Sequence, residues 1–171
     1  VEAVRTLNDG RAAPSLSQPV TRPPEQPRAF VLPEGNRCAT AAVSYLQRRG
    51  IDSEIISRCI RAGIFFESRK YHNCVFVGRD KAGKARFACL RGTMGDFKGD
   101  VPGSDKRFNF CFPAGGPSRT VAVFESPIDA LSLATLFKAQ GAATWDKGHY
   151  LSLGGTSPLA LLQFLHDRPE I

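Results

Sequence analysis

The sequence predicts an α/β chain in which a small α+β unit precedes a Rossmannoid segment built on a parallel sheet. Three observations point to this. After residue 117, strand-like runs at 120–124 and 149–153 alternate with helical patterns at 127–140 and 158–166. Strands separated by helices form parallel sheets with right-handed crossovers. Upstream, β-branched and aromatic runs crowd residues 64–113, and two short helical patterns, each closed by a glycine, come before them.

Taken in order, "VEAVRTLNDG" places Val1, Val4 and Leu7 on one helical face and stops at Gly10. So short a helix cannot bury itself, and residues 1–9 read as the tail of a preceding domain. Residues 10–37 carry Pro14, Pro19, Pro23, Pro24, Pro27 and Pro33 among Ser, Gln and Arg, which predicts an extended, poorly ordered linker. A proline-rich ligand for a partner domain is the alternative. The globular part begins near Cys38. "CATAAVSYLQRRG" repeats apolar positions at Ala42, Val43 and Leu46 up to Gly50, and "DSEIISRCIRAG" opens on the caps Asp52 and Ser53 and ends at Gly63. The period then changes. "IFFESRKY", "CVFVGR", "KARFACLR" and "RFNFCFP" read as strands, and "DKAG" joins the second and third in a hairpin, while "GTMGDFKGDVPGSD" reads as a glycine-rich loop. The predicted units are 38–117, α+β, and 118–171, the parallel-sheet segment.

Composition bounds the function. With 171 residues the chain supports one core of ordinary size. No apolar run approaches the ~20 residues that span a bilayer, and no basic-then-apolar leader opens the chain, so the expectation is a soluble, cytoplasmic protein without a membrane partner. The five cysteines are scattered and never form C-x-x-C, which argues against a disulfide framework or a zinc ribbon and for reduced, mostly buried thiols. His72 and Cys74 in "YHNC" cannot complete a tetrahedral metal site alone. Lys and Arg number 23 against 16 Asp and Glu, a formal charge of +7 with the basic residues concentrated between Arg48 and Arg107. That balance suits a phosphate-rich partner, and equally a solvated basic surface.

The stretch "VAVFESPIDALSLATLF" carries the chemistry. An apolar strand ends at Glu125, Ser126 takes the N-cap, Pro127 the first helical position and Asp129 the third. In parallel sheets function gathers at the carboxyl ends of strands, so both acids are expected to face one volume. A Ser-x-x-Asp capping box accounts for Asp129 without chemistry. It does not account for Glu125, whose charge at the end of an apolar strand needs solvent or a cation.

This strand and helix start resemble the first motif of the Toprim domain of DNA primases, topoisomerases and some nucleases, with Ser126 where the family has glycine. "YLSLGGTSP" resembles the second strand and Gly-Thr turn of primase Toprim domains, and "YLQRRGIDSEIISRCIRAG", "VFVGRDKAGKARFACLRGT" and "DKRFNFCFPAG" follow the order of the small subdomain that precedes it in bacterial primase cores. "VEAVRTL" is similar to the helix closing the zinc-binding domain that precedes those cores. The likeness covers about Cys38 onward and is greatest to primase-like proteins of plasmids and other mobile elements. It implies Glu125 and Asp129 as catalytic and Mg²⁺-binding residues. It also implies Arg91, Lys106, Asn109, Gly155 and Thr156 as contacts to single-stranded DNA template and nucleotides, with other replication or transfer proteins as possible partners. The family's Asp-x-Asp motif has no counterpart, since Asp167 is followed by Arg168 and Pro169. The expectation is therefore a fragment or an atypically short member, binding magnesium weakly or not at all and inactive by itself. A non-catalytic DNA-binding module and a Toprim nuclease are the alternatives.

Overall fold

The structure is a computed structural model that describes residues 28–171. The expected tail at 1–9 and most of the expected linker at 10–37 lie outside the described residues. The fold is mixed α/β. Helices α1 (Thr40–Arg48) and α2 (Ser53–Arg61) lead into strands β1 (Phe65–Glu67), β2 (Cys74–Arg79), β3 (Ala85–Arg91) and β4 (Lys98–Asp100). Then follow β5 (Cys111–Phe112), β6 (Val121–Phe124), α3 (Pro127–Ala139), β7 (His149–Ser152) and α4 (Leu159–Asp167).

Of the caps predicted from the sequence, Asp52 and Ser126 are made, while Ser53 is the first residue of α2 rather than a cap. Asp52 accepts from the backbone N–H groups of Glu54 and Ile55 ahead of α2, and Ser126 accepts from that of Asp129 ahead of α3. Gly63 ends the second helix in the left-handed conformation, φ +64°.

Two sheets form. The first is antiparallel in the order β1-β2-β3-β4, with the predicted hairpin as its centre. The glycine-rich segment after it is not wholly loop: Lys98–Asp100 pairs with Cys89–Arg91 as an edge strand. The second sheet runs β5-β7-β6. Its β6 and β7 are parallel, as the alternation of strands and helices predicts, but β5 joins β7 antiparallel, so the sheet is mixed. The run "RFNFCFP" yields only the two residues of β5, because Asn109 and Phe110 turn inward before the ladder begins.

One face of the first sheet packs Phe65, Cys74 and Phe76 under α1 and α2. The same apolar cluster continues through Phe110 and Phe112 to Ala130, Leu131, Ala134 and Tyr150 of the second sheet and α3. The opposite face, Val75, Val77 and Ala88, is covered by Phe30 and Leu32 from the segment preceding α1. Arg58 and Lys138 fasten the join. The Arg58 guanidinium lies 4.9 Å from the Phe112 ring and 5.2 Å from that of Trp145. Lys138 Nζ bridges Asp52 at 2.6 Å and Glu54 at 2.9 Å. No helix among the described residues is long and apolar enough to cross a membrane.

Candidate phosphate-binding cavity

Parallel pairing puts the carboxyl ends of β6 and β7 at one edge, and the backbone there is stitched together. Leu153 N donates to Phe124 O at 2.8 Å and Gly155 N to Glu125 O at 3.1 Å. Ser152 Oγ accepts from Gly154 N at 3.2 Å and donates to Glu125 O at 3.4 Å. The turn needs glycine: Gly154 and Gly155 have φ of +63° and +132°. From this edge Glu125 and Asp129 are both exposed. Asp129 is engaged by its own cap, since Ser126 Oγ donates to its Oδ2 at 2.7 Å.

Basic residues share a cavity with the acids. A cavity of about 560 Å³ is lined by Arg49 at the end of α1, Arg91 and Lys98 on β3 and β4, Glu125, Asp129 and Gly155. Arg91 is held by Tyr45, whose hydroxyl accepts from its Nε at 3.1 Å. That hydrogen bond raises the Arg91 pKa further above its ordinary value. Four of the residues singled out in the sequence, Arg91, Glu125, Asp129 and Gly155, therefore meet in one cavity.

The others stand around it. Lys106 pairs at 3.3 Å with Asp100, which lines the cavity. Asn109 is buried behind the glycine turn; a Cβ at Gly154 would lie 2.5 Å from its Nδ2, which has no hydrogen-bond partner among the described residues. Thr156 is exposed and is not part of the cavity wall. Arg49 and Lys98 were missed by sequence reasoning. The doubled arginine of "QRRG" was the available signal for Arg49, and Lys98 sat in a segment read as loop.

Among the described residues, no group of three or more His, Cys, Asp or Glu side chains is placed to hold a metal ion. Glu125 and Asp129 offer two carboxylates, one already hydrogen-bonded to Ser126, so the donor set does not fit an ion held by protein oxygens. His72 and Cys74 do not act as a pair either: His72 Nδ1 lies 2.6 Å from Glu67 Oε1, and Cys74 Sγ is directed at Ala42 O, 3.8 Å away. Burial pushes the thiols of Cys59, Cys74, Cys89 and Cys111 up to about 12.

Residues 44–117 match the model of a family described as a protein of unknown function (DUF3991). No curated protein matches the chain. Among solved structures it is similar to the DnaG primase catalytic domain bound to ssDNA, at 20% identity and a TM-score of 0.47 over 77% of this chain and 52% of that one. It is similar also to the E. coli primase catalytic core, at 20% identity and a TM-score of 0.46 over 75% of this chain and 53% of that one. The primase fragment of the bacteriophage T7 primase-helicase protein matches at 22% identity and a TM-score of 0.39, over 62% of this chain and 40% of that one. The chain spans about half the length of the first two structures.

Proposed function

We propose that the chain binds single-stranded nucleic acid through this cavity, as the nucleic-acid-binding part of a primase-type nucleotidyl-transfer protein. The observation that carries the proposal is the convergence of Arg49, Arg91 and Lys98 on one cavity with the strand-end acids Glu125 and Asp129. Cations spaced along a wall neutralise successive phosphates, and a guanidinium fixed by a tyrosine presents its remaining N–H groups in one direction. The acids stand at the strand end, but Glu125 and a Ser126-bound Asp129 do not fit a protein-held Mg²⁺, so no metal step is assigned to them. The reading is therefore one of nucleic-acid binding, with no transfer step assigned to these residues. The motif resemblance of residues 121–137 supports the same assignment, as does +7 net charge.

The test is fluorescence anisotropy with a labelled single-stranded oligonucleotide. Arg91→Glu combined with Lys98→Glu should weaken binding at least tenfold, for all sequences alike. Two lost phosphate contacts should reduce the slope of log affinity against log salt by about 1.4. A double variant that binds as the parent does would place the nucleic acid elsewhere or nowhere.

A further inference from the structure

A second surface lies on the other side of the first sheet from this cavity. The register Glu67–Cys74–Arg91–Lys98 runs straight across four strands, so the β1–β2 connection (68–73) and the β3–β4 connection (92–97) leave the sheet at one end. Three large apolar side chains are exposed on these two connections: Tyr71 at 65%, Met94 at 96% and Phe97 at 55%. Elsewhere on that face Phe30 and Leu32 cover the sheet.

The surface is concave. A cleft of about 690 Å³ is lined by Tyr71, Leu90, Pro33, Asn73 and the stems of Arg69 and Lys70. Phe97 borders Leu90 from the β4 side: its ring lies 3.8 Å from where a Cβ on Gly99 would be, and Gly99 is the strand partner of Leu90. Aromatic rings thus flank Leu90 from both neighbouring connections. Lys70 Nζ sits 4.9 Å from the centre of the Tyr71 ring, which is otherwise largely exposed.

Charge does not make this end a phosphate site, because Arg69 is paired with Glu34 and Asp96 lies in the second connection. What it offers is stacking. Leu90 lines this cleft and the basic cavity alike, so the two lie back to back across β3, and only the edge strand β4 stands between them at the rim of the sheet.

We propose that Tyr71 and Phe97 form a base-stacking platform, which takes the unpaired bases of the same strand whose phosphates lie along Arg49, Arg91 and Lys98. This rests on the proposed single-strand binding. Stacking platforms beside a basic groove are how proteins hold single strands without reading their sequence. A chain of exposed aromatics near-neutral in charge also fits an apolar protein partner, and the experiment separates the two.

Three probes are compared with the full chain by anisotropy: a labelled single-stranded oligonucleotide, the same backbone with abasic residues, and a duplex. The parent protein should bind the oligonucleotide about a hundredfold tighter than the abasic strand, and the duplex weakly. Tyr71→Ala with Phe97→Ala, both exposed positions, should weaken oligonucleotide binding about tenfold per ring, about 1.4 kcal/mol each. Abasic binding and the salt slope should stay unchanged in that variant. Arg91→Glu with Lys98→Glu should instead weaken all single strands and lower the salt slope. If the aromatic variant binds and discriminates as the parent does while the charge variant is impaired, the platform is refuted and the cavity assignment stands. If the charge variant is also unimpaired, both fall. Equal loss on the abasic strand would show the aromatic residues to be structural and would overturn the platform. An aromatic variant that keeps its discrimination would leave the face to an apolar protein partner and would likewise overturn the platform.

Discussion

Replacing Gly78 by alanine tests the join between the two sheets. Gly78 lies in β2, and a Cβ there would sit 1.7 Å from the carbonyl oxygen of Phe108 and 2.8 Å from the carbonyl carbon of Asn109. Carbon and oxygen meet comfortably at roughly 3.3 Å, so the crossing segment would have to retreat by roughly 1.5 Å. Backbone cannot step aside as a flexible side chain does, and both Asn109 and Phe110 are buried. We expect a loss at the upper end of overpacking costs, about 3 kcal/mol. For a chain of this size that lowers the melting temperature by about 6–12 °C. Trp145, the sole tryptophan, lies at the join and reports the transition by its fluorescence. Gly83→Ala is the control: it has open space around it but a φ of +78°, so its cost is the left-handed backbone alone, about 1 kcal/mol. The displaced segment also carries Asn109 to the glycine turn, so Gly78→Ala should weaken oligonucleotide binding as well. If Gly78→Ala melts no lower than Gly83→Ala, the close crossing of β2 by residues 108–109 is wrong.

Glu67 is buried, which by itself pushes its carboxyl up, but His72, the Ala42 N–H and Asn36 donate to it and together hold it below the usual range. A depressed carboxyl stabilises the fold above its unfolded value and loses that contribution as pH falls. The melting temperature should therefore stay level above about pH 5 and drop below about pH 4.5, and Glu67→Gln should start lower and fall less; a parallel pH profile would refute the assignment. Lys138→Met removes the bridge to Asp52 and Glu54 and should cost about 1 kcal/mol in dilute buffer, shrinking in about 1 M salt. A loss indifferent to salt would assign Lys138 a packing role. Ser126→Ala should cost about 1 kcal/mol by removing the cap of α3, and an unchanged melting curve would show the capping box to be idle.

Local chemistry made much of the fold legible. Asp52, Ser126 and Pro127 marked helix starts to within a residue, and "DKAG" marked the central hairpin. What escaped was decided at a distance. "KGD" has no strand propensity of its own and becomes β4 because β3 offers an unpaired edge. Likewise nothing near Cys111 says that it will run antiparallel to Leu151, forty residues on. The acids of the site were legible because a strand end and a helix cap adjoin in sequence. Its basic residues were not, since Arg49, Arg91 and Lys98 come from three elements that only the shared apolar cluster joining the two sheets brings into one cavity with the acids.

The apolar cluster that runs from Ala42 to Tyr150 has a consequence for how the chain folds. Phe110 and Phe112 precede residue 118 yet share their burial with Ala130, Leu131 and Tyr150 beyond it. Neither side can therefore retain its interior while the other is disordered, and unfolding should be all-or-none, with calorimetric and van't Hoff enthalpies equal. The pairing of β5 with β7 closes late, because a long intervening segment must be ordered first, and the folding rate should be set by that closure. Proteins expressed separately as 28–117 and 118–171 should each expose the aromatic half of this cluster and regain native fluorescence only on mixing.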